Sequence, residues 1–368
     1  MKIEGRHFTT IWLGQKKDCV YIIDQRFLPF RLKIECLHTV EDVCQAIADM
    51  HLRGAPLIGV AAAFGLYLAL LKAKAHNLLA QLETAYQKLL ATRPTAVNLK
   101  HALNTACQRI SQEPNLIAKR EAALAYAESL RQEEINSCRR LGEFGLKILQ
   151  ELAGKKKGQP LNILTHCNAG WLACVDYGTA TAPIYLAYDS GIPIHVWVDE
   201  TRPRNQGARL TAYELGQHGV DHTIIVDNAG GHLMQQGLVD VVIVGSDRTT
   251  ARGDVCNKIG TYLKALAASE NHIPFYVALP SSSIDFSIQS GLKEIPIEAR
   301  AEDEVLFTEG LYRGRIIQAC VTPRKSRAFN PGFDITPAHL ITALITERGI
   351  CEASSVGLKK LFPESFKD

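Results

Sequence analysis

The chain has 368 residues, of which 46% are hydrophobic and 21% charged, a composition that excludes wholesale disorder and can bury a full core without disulfide or metal staples. Its formal net charge of +3 is too mild for a polyanion-binding protein, so neither nucleic acid nor membrane is expected as a partner. Ten cysteines are present, but no pair is C-x-x-C and no zinc-ribbon or zinc-finger spacing occurs, so they read as reduced thiols in a cytoplasm, with no metal expected.

In chain order, Met1–Arg6 leads into mixed polar sequence rather than an apolar leader. Val20–Asp24 and Arg31–Cys36 follow as short strands. Thr39 reads as a helix N-cap, with Asp42 three residues on and Val43, Ala46, Ile47 and Met50 along one helical face. Leu57–Leu71 carries no charge and is rich in Ala and Gly; it is shorter than the roughly 20 residues a membrane span needs and predicts a closely packed buried helix. Helical patterns continue through Leu78–Leu90, Leu99–Ile110 and Asn115–Leu152. The Gly154–Pro160 stretch breaks the composition and reads as a linker, which divides the chain into 1–153, mostly helical with a short β start, and 160–368.

Beyond Pro160, short apolar runs (Leu161–Leu164, Ile194–Val198, His222–Val226, Asp240–Val244, Pro274–Ala278) alternate with segments of crossover length, such as Gln206–His218 and Asn257–Ser269. That rhythm predicts an α/β fold: a Rossmann-like parallel sheet with helices on its faces. Ligands of such sheets bind outside the carboxyl ends of the strands. Polar and ionisable residues crowd those ends here: Thr165-His166-Cys167-Asn168, Asp199-Glu200-Thr201-Arg202, Asp227-Asn228 and Gly245-Ser246-Asp247-Arg248.

Cys167 is singled out among the ten cysteines because it ends a strand just before a predicted helix start, where a thiolate is stabilised. His166, its neighbour, is expected to point away and to serve a structural role. Asp247 ends an apolar strand, where desolvation raises a carboxyl pKa and suits a general acid. Asp227 is placed similarly, as an alternative acid or a ligand for hydroxyls. Arg53-Gly54-Ala55-Pro56, Arg93-Pro94-Thr95 and Asn257-Lys258 are candidate anion binders, the last expected to open a helix. No Walker loop, Gly-x-Gly-x-x-Gly or Gly-x-Ser-x-Gly occurs, which argues against ATP hydrolysis, dinucleotide binding and serine hydrolysis.

Taken together, the blocks Arg-Gly-Ala-Pro at 53–56, Thr-Arg-Pro-Thr-Ala-Val-Asn at 92–98, Thr-His-Cys-Asn-Ala-Gly at 165–170, Asp-Glu-Thr-Arg-Pro at 199–203 and Gln-Gly-Ala-Arg-Leu-Thr-Ala at 206–212 continue with Asn-Lys-Ile-Gly-Thr-Tyr at 257–262 and Asn-Pro-x-Phe-Asp-Ile-Thr-Pro at 330–337. The set resembles the methylthioribose-1-phosphate isomerases, which share a fold with regulatory subunits of a translation initiation factor. The resemblance implies an aldose–ketose isomerase without a cofactor, a sugar-phosphate substrate and a homodimer. It implies Cys167 and Asp247 as the catalytic pair, working by a proton or a hydride route. It also implies Arg53, Gly54, Ala55, Arg93, Gln206, Asn257 and Lys258 as substrate-binding residues. Trp171 and Ala229-Gly230-Gly231 depart from the family pattern and are expected to line the wall for the substrate's 5-substituent, with 5-deoxyribose 1-phosphate as the alternative substrate. The stretch from Gly310 to Ala328 is more basic than usual. A non-catalytic regulatory subunit is the competing class.

Overall fold

A computed structural model describes residues 1–93 and 97–366. The N-terminal part begins with a small antiparallel sheet of strands Ile11–Leu13, Val20–Ile23 and Ile34–Leu37. Five helices follow: Val40–Ala48, Ala55–Lys72, Leu78–Thr92, Val97–Ser111 and the long Leu116–Gly154. The expected capping box forms, with the Thr39 hydroxyl accepting the Asp42 N–H and the Asp42 carboxylate accepting the Thr39 N–H. Helix Ala55–Lys72 runs through the middle of this bundle with fourteen of its eighteen residues buried. Its small residues permit the close packing: Gly59 lies against the Asn98 backbone and Gly65 against Leu89. The block Pro94–Ala96 lies outside the described residues.

The second part is a seven-stranded sheet. From edge to edge its strands are Gly349–Cys351, Ala343–Thr346, Phe275–Ala278, Val241–Val244, Leu161–Thr165, Ile194–Asp199 and His222–Ile225. All neighbours are parallel except the Gly349–Cys351 edge. The central strands are continuous apolar runs because both faces are covered. One face packs against the long helix Leu116–Gly154 through Leu141 and Leu149, the other against the helices Ala229–Gln235 and Thr261–Glu270.

The order of winding is what positions the site. The chain lays down Leu161–Thr165 first, steps outward to Ile194–Asp199 and His222–Ile225, then returns to place Val241–Val244 on the other side of the first strand. The crossovers therefore diverge between Leu161–Thr165 and Val241–Val244, and a crevice opens at the carboxyl ends of those two strands.

Two sequence expectations fail, and one stretch without a structural expectation acquires a structure. No α-helix starts right after Cys167; the short 3-10 turn Trp171–Ala173 comes first, and the helix Ala182–Asp189 begins fifteen residues on. Asn257-Lys258 does not open a helix but ends the strand Val255–Lys258, which is paired with Phe333–Thr336 in a separate four-stranded sheet. The Gly310–Ala328 stretch is largely an exposed β-hairpin, Phe307–Tyr312 with Arg315–Cys320.

Candidate active site

Cys167 follows strand Leu161–Thr165 after one intervening residue and Asp247 follows Val241–Val244 after two, so the two face the switch-point crevice. A cleft there is lined by Arg53, Gly54, Ala55, Cys167, Asn168, Ser246, Asp247 and Asn257, among others. Two of its walls approach closely at Gly245, where an added Cβ would sit 2.6 Å from Ala169 Cβ. Both loops can meet there only because that position lacks a side chain.

Cys167 is held with φ +66°, a left-handed conformation that non-glycine residues rarely adopt. The surrounding bonds fix it. Its N–H donates to the Thr201 hydroxyl at 2.9 Å, and its carbonyl accepts from Thr211 Oγ1 at 2.7 Å. Glu214, fully buried, accepts from Asn168 Nδ2, the Trp171 and Leu172 N–H groups and the Tyr185 hydroxyl, which ties down the loop after the cysteine. Arg53 clamps the same loop from the helical side, donating to Asn168 Oδ1 at 2.5 Å and to the Asn168 carbonyl at 2.8 Å. Gly54 must be glycine: its φ is +101° and a Cβ would collide with the Ala173 carbonyl.

The electrostatics is set by burial against cations. Burial pushes the Cys167 thiol above its usual range; Arg53 and Lys258 act in the opposite direction, and Asp247 adds to the rise. The helix start expected to stabilise a thiolate is absent, and these two cations, with the Asn168 backbone N–H, favour one. Asp247 is also raised by burial, against the pull of Lys258, Arg53 and Arg93. Among the described residues no group donates to its carboxylate, although its N–H is fixed on the Cys256 carbonyl at 3.0 Å. Lys258 is 9% exposed and, among the described residues, no carboxylate pairs with it. Register explains its position: Lys258 opposes Phe333, and the ammonium lies 4.8 Å from that ring's centroid. Burial lowers its pKa. A buried cation with no direct ion-pair partner among the described residues, beside Arg53, is an arrangement that favours an anion.

Arg93 lines an adjoining pocket with Asp247, Gly54 and Ala55, and lies 3.5 Å from Glu298. That pocket also has an apolar wall of Ile58, Cys256, Ile295, Pro296 and Phe333. Gln206 faces a second adjoining space shared with Arg53, and its buried Oε1 has no protein partner. The structure thus gathers Cys167, Asp247, Arg53, Gly54, Ala55 and Asn257 around one cleft, with Arg93, Gln206 and Lys258 bordering it.

Other expectations are corrected. Both Asp227 carboxylate oxygens accept backbone N–H groups, of Thr201 at 2.7 Å and Arg202 at 2.8 Å, so it organises a loop and is not a free acid. Trp171 is 1% exposed in the core under the sheet, and Gly230 packs against Leu164; neither lines the cleft. His166 is buried with Nδ1 on Asp199 and Nε2 on the Ile259 carbonyl, each at 2.8 Å, in keeping with a structural role. Thr201, Thr211 and Glu214 were not singled out from sequence. The available signal was an acid, Glu214, inside an otherwise apolar helical face.

The winding, the strand-end loops and the buried cations define a doubly wound α/β protein with an anion-ready cleft at its switch point. A family model described as the Initiation factor 2 subunit family matches residues 51–353, and the chain belongs to that family. Among similar relatives, a methylthioribose-1-phosphate isomerase of Brucella anthropi is 57% identical over 366 residues, covering 99% of this chain and 100% of the relative. One from Sinorhizobium medicae is 56% identical over the same length and coverage. The crystal structure of 5-methylthioribose 1-phosphate isomerase from Pyrococcus horikoshii superposes with a TM-score of 0.86 at 40% identity, covering 98% of this chain and 97% of that one. The translation initiation factor eIF-2B subunit delta from A. fulgidus gives 0.81 at 36% identity, covering 97% and 100%.

Proposed function

We propose that the protein is an aldose–ketose isomerase converting 5-methylthioribose 1-phosphate to 5-methylthioribulose 1-phosphate. The observation that carries this reading is the placement of Cys167 and Asp247 at the switch-point cleft beside the buried Lys258. A regulatory subunit has no need of a thiol and a carboxyl brought together in a desolvated, cation-lined cleft.

The chemistry is constrained by the substrate. The anomeric oxygen carries the phosphate, so the ring cannot open as a free sugar's does. Arg53, Arg93 and Lys258 hold the phosphate, while Gln206 and Asn257 take sugar hydroxyls. Cys167, as thiolate, removes the C2 proton; that electron pair forms a C1–C2 double bond as the C1–ring-oxygen bond breaks. Asp247 gives its proton to the departing ring oxygen. The Cys167 thiol then protonates C1, and the C2 hydroxyl returns its proton to Asp247, leaving the ketose and the starting protonation state. The pair works with one proton between its two groups, and burial raises the pKa of both.

The apolar wall of Ile58, Ile295, Pro296 and Phe333 suits an apolar 5-substituent rather than a hydroxyl. One assay tests this: turnover of 5-methylthioribose, 5-deoxyribose and ribose 1-phosphates, followed by NMR in deuterium oxide. The methylthio sugar is expected to have the highest kcat/KM, with deuterium entering at C1. Preference for the ribose compound would refute the substrate assignment. Complete retention of protium at C1 would point to the hydride route.

We further propose a homodimer in the cytoplasm. The exposed apolar side chains Ile224 and Val226 at the sheet edge, with Tyr262, Leu263 and Leu266 on the helix Thr261–Glu270, are the surface we assign to it. Light scattering should give twice the chain mass, and a Leu263→Asp variant should be monomeric; a wild type of single-chain mass would exclude the dimer.

A further inference from the structure

Cys19, Cys36 and His38 converge on one face of the small N-terminal sheet, outside the cleft. Register is the cause. Val20 pairs with Leu37 and Tyr21 with Cys36, antiparallel, so one step further along Cys19 lies across from His38. Residues two apart in a strand share a face, which puts Cys19, Tyr21, Cys36 and His38 on the same side. The two sulfurs and a ring nitrogen of His38 all lie within 4.8 Å of one another. Cys19 is fixed by a tight turn in which Gly14 donates its N–H to the Cys19 carbonyl and Lys17 donates to the Gly14 carbonyl, both at 2.9 Å. Cys19 is buried, Cys36 half-buried and His38 exposed, so the group opens to solvent on one side.

We propose that Cys19, Cys36 and His38 form a binding site for a zinc-class divalent cation, with a fourth position left to water. Two thiolates and an imidazole are the donors a borderline-soft cation takes, whereas hard cations take oxygen. Tetrahedral zinc with its usual bond lengths spaces such donors about 3.5–3.8 Å apart. The three donors therefore close by about 1 Å, a side-chain rotation with no backbone movement. Binding displaces the two thiol protons to solvent, so affinity rises with pH.

The other two groupings of candidate ligands among the described residues already hold a cation. Asp24, in the first, is bonded to Arg26 at 2.9 Å and Lys33 at 3.2 Å. Asp199, in the second, pairs with Lys264 at 3.1 Å. Among the described residues no lysine or arginine hydrogen-bonds to Cys19, Cys36 or His38. Spacing hid this site: 19, 36 and 38 fit no linear motif, and only the hairpin pairing brings them together.

The test is titration of the reduced, chelator-treated full-length protein with cobalt(II), followed by displacement with zinc. One equivalent per chain should give a thiolate-to-cobalt charge-transfer band of two-thiolate intensity, which zinc abolishes. Cys19→Ser and Cys36→Ser should each lose the two-thiolate band, and His38→Ala should weaken affinity by at least about tenfold. All three variants should keep wild-type isomerase turnover, which shows that they are folded. Absence of the band in the wild type, or its full survival in a Cys19→Ser, Cys36→Ser double variant, overturns the proposal.

Discussion

At the residue scale, the cleft depends on charges that burial makes expensive. Cys167 lies under opposing influences: burial and Asp247 raise its pKa, Arg53 and Lys258 lower it, and the net direction is upward. Below its folded pKa the thiol keeps its proton; above it the thiolate forms and becomes the nucleophile. Alkylation of Cys167 by iodoacetamide, read by peptide mass, should therefore rise with a midpoint above the ordinary thiol value of about 8.5. Asp247→Asn should move that midpoint down, because a negative neighbour is removed. A wild-type midpoint below the ordinary value would contradict this account of the site. Cys167 and Asp247 were legible in the sequence because a parallel sheet exposes its strand ends. Glu214 and Thr201 were not, because their roles come from hydrogen bonds to a loop whose path no local pattern encodes.

At the element scale, the helices were the most legible parts. Their periodicity and the Thr39 cap are local signals, and that cap forms. Strand Val255–Lys258 was not read, because it is polar at its end and is held by a partner about 75 residues away, Phe333–Thr336. The hairpin Phe307–Cys320 was seen only as basic composition, since its strands lie on the surface and lack the buried alternation that marks a half-buried strand. The junction between Gly54 and the Trp171–Ala173 turn joins helix Ala55–Lys72 to the cysteine loop. Gly54→Ala forces a side chain into a left-handed position against the Ala173 carbonyl. It should cost more than about 1 kcal/mol in urea denaturation and reduce turnover. Unchanged stability would show that the close approach is not a constraint.

At the scale of the whole molecule, the site is a meeting of distant segments. Arg53 and Arg93 come from the ends of helical segments in the first part, Cys167 and Asp247 from the central strands of the sheet, and Lys258 from a second sheet. The doubly wound order makes the meeting possible, since it opens the crevice beside the first strand and brings the return strand next to it. The sequence rhythm predicted the parallel sheet and the polar loops at the carboxyl ends of its strands. It did not predict that the Cys167 loop would be stabilised by Arg53 and Glu214 in place of a helix.

The central claim is that Cys167 and Asp247 together perform the isomerisation in this cleft. The most direct measurement is single-turnover kinetics with 5-methylthioribose 1-phosphate on Cys167→Ser and Asp247→Asn, alongside substrate binding by calorimetry. Both variants should bind within a few-fold of wild type, yet lose turnover by about 10²–10⁴. Near-wild-type turnover in either variant would contradict the account.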